Sequence, residues 1–222
     1  MVMINRATKE ITLKIVYYGP GLCGKTTNLE YIYSKANPGK RGKLLSVTTE
    51  TDRTLFFDFL PVELGTIRGM KVRVQLYTVP GQVFYDATRR IVLRGSDGVV
   101  FVADSQKRML DANLESFKNL EENLAEHDLN LAEMPLIIQF NKRDLPDVKP
   151  LQDIKQAWGD IPTFPAVAIR GEGVLETFRE LLRSLYRSMD ERHGFGEKFG
   201  VSEEDFLKGV LKNFRPVSRT RA

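Results

Sequence analysis

The sequence predicts an α/β fold, with a mostly parallel sheet of six strands, one antiparallel hairpin at the edge of the sheet, and helices on both faces. The first observation is that short segments rich in β-branched residues alternate along the chain with segments of helical periodicity. The second is that the strand segments are apolar throughout, as in sheets covered on both faces. Ligands of such sheets bind beyond the carboxyl ends of the strands, so we expect the functional site at that edge.

Six segments are typical of strands. They are ITLKIVYY (11–18), LFFDFL (55–60), VRVQLYT (72–78), GVVFVAD (98–104), PLIIQFN (135–141) and FPAVAI (164–169). Five segments are typical of helices: TTNLEYIYSKA, the stretch after Gln82, LDANLESFKNLEENLAEH, PLQDIKQAW and VLETFRELLRSLYRSM. The second and third strands are joined by a turn at Arg68 to Lys71 with no helix between them, which predicts the antiparallel hairpin.

Composition narrows the class of protein. The 222 residues fit one domain with a full core and one appended segment, and 42% apolar with 28% charged residues is typical of a soluble globular protein. No apolar run approaches the ~20 residues that span a bilayer, and the early charges of MVMINRATKEITL do not fit a secretory signal. The single cysteine, Cys23, suits a reducing compartment. We expect a cytoplasmic protein, and a net charge of +4 does not predict a nucleic-acid partner.

The chain changes character near His193, so we expect a domain over residues 1–193 and an extension over 194–222. GFGEKFG predicts a linker, VSEEDFLKGVLKNF a short amphipathic helix capped by Ser202, and RPVSRTRA a basic tail. Two interpretations stay open. The extension is either a docking element, with apolar residues in a groove and arginines against an acidic partner or lipid headgroups, or an appendage without fixed packing. Any membrane contact is then electrostatic and reversible.

A phosphate-binding motif follows the first strand. GPGLCGKT, residues 19–26, matches GxxxxGK[ST] and opens a helix. Glycines let the backbone amides and the helix N-terminus approach phosphate oxygens. Lys25 is predicted to reach the β- and γ-phosphates, and the Thr26 hydroxyl to bind Mg²⁺. The alternative is a glycine-rich turn with a surface lysine, and Cys23 is interpreted as a small residue that fits the loop.

A second motif, NKRD at Asn141 to Asp144, predicts which base is bound. The Asp144 carboxylate can accept two hydrogen bonds from the N1 and exocyclic amine of guanine, an edge that adenine does not present. Asn141 can tie the base site to the phosphate loop, and the Lys142 stem can cover the ring. Alone, NKxD is also common as a polar turn after a strand; downstream of a phosphate loop and at a strand end, it favours guanine.

The two motifs and the strands between them resemble the Ras-like small GTPases. Three further stretches, TETDRTLFFDFLP (49–61), LYTVPGQVFYDATRR (76–90) and VFVADSQ (100–106), resemble the MglA family, the bacterial mutual gliding proteins A, over roughly residues 4–190. The resemblance implies a Ras-like P-loop fold, GTP or GDP with Mg²⁺, and slow GTP hydrolysis. It further implies an activating partner similar to MglB with a roadblock fold, polarity or motility effectors, and recruitment to the cell poles or the inner membrane surface.

The resemblance also implies roles for the stretch TVPGQ. The amide of Gly81 takes the place that contacts the γ-phosphate, and Gln82 the place of the glutamine that orients the attacking water. Thr78 stands where Ras-like enzymes usually carry an aspartate that holds Mg²⁺ through water. A hydroxyl is a weaker and neutral partner, so we expect the affinity or the geometry of the metal site to differ from that of the usual site.

A mobile segment is expected over residues 37–54, ordered by the γ-phosphate and Mg²⁺. Thr54 is the candidate for the hydroxyl that closes on Mg²⁺. Thr48, Thr49 and Thr51 are alternatives. On the family resemblance, Arg53 is interpreted as an arginine finger supplied by the chain itself, which a partner would bring into place. The alternative is a solvated surface arginine.

The predicted site has three groups of residues. The nucleotide-binding residues are Gly19, Gly21, Leu22, Cys23, Gly24, Lys25, Thr26, Thr27, Thr54, Thr78, Gly81, Asn141, Lys142, Asp144, Ala168 and Ile169. The metal ligands are Thr26 and Thr54, and the catalytic residues are Gln82 and Arg53. Two other functions stay open: a GTP-binding scaffold with negligible turnover, suggested by Thr78, and a small P-loop kinase, in which NKRD and TVPGQ would have no role.

Overall fold

A computed structural model describes residues 3–5, 7–47, 57–82, 85–153 and 158–214. Eight strands form one sheet in the order β3-β4-β5-β2-β6-β7-β8, and β1 pairs with β2 outside this order. Their bounds are β1 Met3–Asn5, β2 Glu10–Tyr18, β3 Leu45–Val47, β4 Phe57–Ile67, β5 Met70–Thr78, β6 Gly98–Asp104, β7 Leu136–Asn141 and β8 Thr163–Pro165. The strands β5, β2, β6, β7 and β8 run parallel to one another, as predicted.

The α/β fold class and the antiparallel hairpin are confirmed, and the strand count is higher than the six predicted. The added strands β1 and β3 contain three residues each, too few to show a periodic pattern in the sequence. The hairpin strands β4 and β5 are joined at Arg68 and Gly69, which both have positive φ. Strand β8 ends at Pro165, so the predicted strand 164–169 is too long: Val167 forms an isolated bridge with Glu172, and residues 168 and 169 lie in a turn.

Besides short 3-10 turns, six helices lie wholly within the described part of the chain. They are α1 Lys25–Lys35, α2 Asp86–Leu93, α3 Leu110–Ala125, α4 Val174–His193, α5 Phe195–Phe199 and α6 Glu203–Leu211. The predicted helix PLQDIKQAW is helical at 151–153, and its next four residues lie outside the described ranges. None of the helices described is long and apolar enough to cross a membrane.

The sheet separates two hydrophobic cores. Alternate residues of β2 face opposite sides: Ile15 and Tyr17 lie in one core, and Val16 and Tyr18 lie in the other. Helices α1, α4 and α6 contribute to the first core, and α2 and α3 to the second. The parallel strands are therefore covered by helices on both faces. The loops that follow their carboxyl ends lie between these two helical layers and form the candidate site.

The C-terminal extension packs on its own domain. Phe206 of α6 is fully buried, with ring contacts to Tyr186 and Phe195. The side chain of Asn213 donates a hydrogen bond of 2.9 Å to the carbonyl of Leu64 in β4, and Phe214 contacts Phe178. The groove that takes the apolar residues of the extension is thus formed by α4 and β4 of the same chain.

Of the three features predicted for the extension, one differs in the structure, one is present, and one lies outside the described residues. The segment GFGEKFG, predicted as a linker, is mostly helix α5, bounded by Gly194 and Gly200 in left-handed conformations. The Ser202 cap is present, since its hydroxyl accepts the amide hydrogen of Asp205 at 3.1 Å. The predicted basic tail, 215–222, lies outside the described residues.

We expect Phe206→Ala to lower the free energy of unfolding by about 3–5 kcal/mol, because it removes a fully buried ring. Lys208→Ala is the matched control on the same helix. Lys208 is exposed and its ion pair with Glu204 is too, so the change should stay within about 0.5 kcal/mol. Urea unfolding of the whole chain measures both. Equal stability of the two variants would show that the extension does not pack on the core in solution.

Candidate functional site

The phosphate loop joins β2 to α1 and is folded tightly against neighbouring strands. Gly19 has φ +143, and a Cβ there would lie 2.1 Å from the carbonyl oxygen of Val102 in β6. Gly24 has φ +103, and a Cβ there would lie 2.2 Å from the side-chain nitrogen of Asn141 at the end of β7. Neither position has room for another side chain, so these two glycines of the motif are required by packing as well as by backbone conformation.

Lys25 is held inside the loop that it follows. Its ammonium donates hydrogen bonds to the carbonyls of Gly19, at 2.8 Å, and Pro20, at 2.6 Å. These bonds fix the position of a nearly buried positive charge in the pocket enclosed by the loop. Burial raises the pKa of the neighbouring Cys23 thiol, so the interpretation of Cys23 as a small residue that fits the loop is favoured over a redox role.

A pocket lies between this loop and the hairpin β4–β5. Among the described residues, it is lined by Leu22, Gly24, Lys25, Thr26, Thr27, Ser46, Phe57, Asp58, Thr78, Val79, Pro80 and Gly81. It brings together seven of the predicted nucleotide-binding residues. Asp58 is the one acidic side chain in this lining, and it was not predicted as a site residue.

Asp58 is the centre of a hydrogen-bond cluster in the pocket. Its Oδ2 accepts hydrogen bonds from the hydroxyls of Thr26, at 2.6 Å, and Thr78, at 2.9 Å. Its Oδ1 accepts one from the hydroxyl of Ser46 at 2.7 Å, and its amide donates to the Thr78 hydroxyl at 2.8 Å. A signal for Asp58 exists in the sequence, because it is the one charged residue of the apolar strand segment LFFDFL.

The segment after β5 lies directly on the phosphate loop. A Cβ at Gly81 would lie 2.4 Å from the Cα of Gly21, so the two backbones are in contact. Gln82 follows with an exposed side chain, while its carbonyl accepts a hydrogen bond of 2.8 Å from Arg89. The predicted water-orienting residue thus lies beside the phosphate loop but is open to solvent.

Helix α2 is held to α3 through Asp86. Its carboxylate accepts hydrogen bonds from Asn119 (2.9 Å) and Asn123 (3.1 Å) of α3, and from Arg89 and Arg90 of α2. Desolvation opposes ionisation of Asp86, but these hydrogen bonds outweigh it and hold its pKa well below the usual value. The helix that follows Gln82 is therefore fixed by a charged contact.

The NKRD segment connects with the phosphate loop through Asn141. Its side-chain nitrogen donates to the carbonyl of Cys23 at 2.8 Å, and its side-chain oxygen accepts the amide hydrogen of Ala168 at 2.8 Å. Lys142 forms an ion pair of 2.7 Å with the buried Asp104. Asp144 lies at the same edge, with its carboxylate 3.8 Å from the guanidinium of Arg170.

The remaining predicted residues divide into three groups. Ala168 is buried beside Asn141, whereas Leu22 and Ile169 are largely exposed. Arg53 and Thr54, with the alternatives Thr48, Thr49 and Thr51, lie outside the described residues. The described residues contain no cluster of three or more histidine, cysteine or acidic side chains that could hold a metal.

Comparison with known proteins identifies the family. Over 185 residues, the chain is 56% identical to the mutual gliding-motility protein MglA of Myxococcus xanthus (strain DK1622), which covers 82% of this chain and 95% of that protein. The chain belongs to the MglA family of Ras-like small GTPases. It is 28% identical to the Ypt/Rab-type GTPase YPT7 of Saccharomyces cerevisiae, over 79% of this chain and 82% of that protein. No protein-family model matches the chain.

A more distant relative agrees with this assignment. The chain is 25% identical over 185 residues to the ADP-ribosylation factor-related protein 1 of Rattus norvegicus, over 79% of this chain and 86% of that protein. The predicted resemblance to the MglA family and the prediction of a GTPase are therefore confirmed. The kinase interpretation is left without support.

We expect Asp86→Asn to lower the free energy of unfolding at pH 7 by about 1–3 kcal/mol, because it weakens charged hydrogen bonds to α3. The folded-state pKa of Asp86 is depressed, so its stabilisation is present above the unfolded pKa of about 3.9 and is lost as the pH falls. The difference between wild type and variant should therefore shrink below about pH 4.

Urea unfolding of both proteins between pH 3 and pH 7 measures this difference. Asp160→Asn, at an exposed aspartate, is the matched control and should change little at any pH. A stability difference for Asp86→Asn that stays constant with pH would contradict a role for the ionised carboxylate.

Proposed function

We propose that this protein is a molecular switch that binds GTP and GDP with Mg²⁺ and hydrolyses GTP slowly. We further propose that an activating protein similar to MglB, with a roadblock fold, accelerates hydrolysis, and that the switch acts through effectors in cell polarity or motility. The name of the Myxococcus relative, a mutual gliding-motility protein, supports the motility role. Recruitment to the cell poles or the inner membrane surface is part of the same proposal.

The observation that carries nucleotide binding is the double hydrogen bond of Asn141. One side chain joins the phosphate loop, at the Cys23 carbonyl, to the loop of Ala168. A phosphate site and a base site held at a fixed separation suit a nucleotide, whose base and phosphates are themselves joined through a ribose. Asp144, at the same sheet edge, supplies the carboxylate that pairs with the guanine N1 and exocyclic amine. The ion pair with Asp104 holds Lys142 at this edge, which supports its proposed role over the face of the base.

The chemistry of the phosphate end follows from charge. The Lys25 ammonium and the helix α1 N-terminus supply positive potential toward the phosphates. The pocket offers hydroxyl and carboxylate oxygens, the ligand type that Mg²⁺ prefers, so the residues present fit that ion. Bound Mg²⁺ would neutralise charge that develops on the phosphoryl group. Thr26 would hold it, with Thr54 as the proposed second hydroxyl.

Slow intrinsic hydrolysis is supported by the position of Gln82. Its exposed side chain has rotamer freedom, so orienting a water molecule costs conformational entropy unless a partner covers it. The backbone of Gly81 already lies against the phosphate loop. We therefore propose that an activating protein orders the side chain of Gln82 and uses Arg53 as the arginine finger. A scaffold with negligible turnover is the alternative, favoured by the neutral residue at Thr78.

The test of the proposal is phosphate release from GTP with Mg²⁺, in the absence and presence of a roadblock-fold partner. We expect slow release by the protein alone and faster release with the partner, and no release from ATP. Gln82→Leu is the control, because it should bind GTP but release almost no phosphate, which excludes a contaminating enzyme. GTP binding without release under any condition would favour the scaffold.

We expect Arg53→Ala to keep GDP binding but to lose the acceleration by the partner, a loss of about 10³ to 10⁵ in rate if Arg53 is an arginine finger. The matched control is Arg108→Ala, which removes an exposed arginine from a short 3-10 turn before α3. Single-turnover hydrolysis with saturating partner measures the rate. Undiminished acceleration in Arg53→Ala would show that the arginine is a surface residue.

A further inference from the structure

We propose that Asp58 of β4 supplies the acidic group of the magnesium site, in place of the aspartate that position 78 of β5 lacks. This rests on the proposed function above. Position 78 carries a neutral threonine, while the pocket beside it has one carboxylate among the described residues, that of Asp58. The acidic group is thus carried by β4, at the position opposite residue 78 of β5.

The register of the hairpin makes this exchange geometrically simple. Phe59 pairs with Tyr77, so Asp58 and Thr78 occupy the next pair of positions at the open end of the ladder. The two residues are joined twice, by the Asp58 amide donating to the Thr78 hydroxyl and by that hydroxyl donating to the Asp58 carboxylate. A carboxylate on either strand therefore reaches the same region of the pocket.

The contact with Thr26 indicates what the carboxylate does. A hydroxyl that binds a cation through its oxygen lone pairs must direct its proton away from the cation and toward an acceptor. The Thr26 hydroxyl donates its proton to Asp58 Oδ2 at 2.6 Å. Asp58 thereby orients the lone pairs of the predicted metal ligand, as partners of metal ligands commonly do. Asp58 is in this sense a positioning residue that acts through Thr26.

The charge of Asp58 also points to a cation. Asp58 is 8% exposed, and the described residues include no lysine or arginine in an ion pair with it. Its hydrogen-bond donors from side chains are the neutral hydroxyls of Thr26, Ser46 and Thr78. Buried carboxylates are stabilised by a positive partner or by a metal ion. A divalent cation next to Thr26 would supply that positive charge.

Thr78 acquires a different role as a result. Its hydroxyl accepts from the backbone and donates to the side chain of the same residue, Asp58. Together with Ser46, it holds the carboxylate in one rotamer. Thr78 therefore positions the carboxylate of Asp58 and does not itself take over the role of the usual aspartate.

The experiment measures release of a fluorescent GDP analogue from the full-length chain over a series of free Mg²⁺ concentrations, including excess EDTA. Asp58→Asn should raise the Mg²⁺ concentration at half-maximal retention by about 10- to 100-fold. The release rate in EDTA should stay close to that of the wild type, because no metal is then bound. Glu63→Gln is the matched control on the same strand, since Glu63 pairs with Lys40 away from the pocket, and it should leave the midpoint unchanged.

The exchange variant, Asp58→Thr with Thr78→Asp, keeps one carboxylate and one hydroxyl in the strand pair. Its Mg²⁺ midpoint should lie within about tenfold of the wild type, and it also serves if Asp58→Asn does not fold. A wild-type midpoint for Asp58→Asn, with only a lower melting temperature, would overturn the proposal and leave Asp58 as a structural residue. If the wild type itself retains no GDP at any Mg²⁺ concentration, the proposed function fails, which is a separate outcome.

Discussion

The hydrogen bonds of Asn141 are the contacts on which the candidate site depends. They join the phosphate loop to the loop of Ala168 across the carboxyl ends of β2 and β7. The same side chain fills the space that a Cβ at Gly24 would need, so Asn141 can occupy this position only because residue 24 is a glycine. The separation of the phosphate loop from the NKRD segment and the loop of Ala168 is therefore set by packing at the ends of the central strands.

The other half of the site is built on the hairpin at the sheet edge. Asp58 and Thr78 adjoin on β4 and β5, and their cluster with Thr26 links the hairpin to the phosphate loop. The position of the acidic group thus depends on how β4 lies against β5.

The C-terminal extension adds contacts to this same strand. Asn213 bonds the carbonyl of Leu64, and the carbonyl of Gly209 would lie 3.1 Å from a Cβ at Gly65, next to the bulge in β4. The extension therefore packs against the strand that carries Asp58, with its apolar residues in the core formed with α4. The buried apolar residues of the extension are therefore part of the same hydrophobic core as those of α4 and β4.

The sequence by itself determined the fold class, the hairpin, the two nucleotide motifs and the family. Each of these depends on residues close together in the chain, through local patterns of polarity and the spacing of glycines. The short strands β1 and β3 and the packing of the extension were decided by tertiary structure, since no local sequence pattern indicates which segment each of them contacts. Asp58 is the clearest case. Its place in the pocket follows from pairing with Thr78 and from contact with Thr26, residues far from it in the chain, and only the folded sheet brings those groups together.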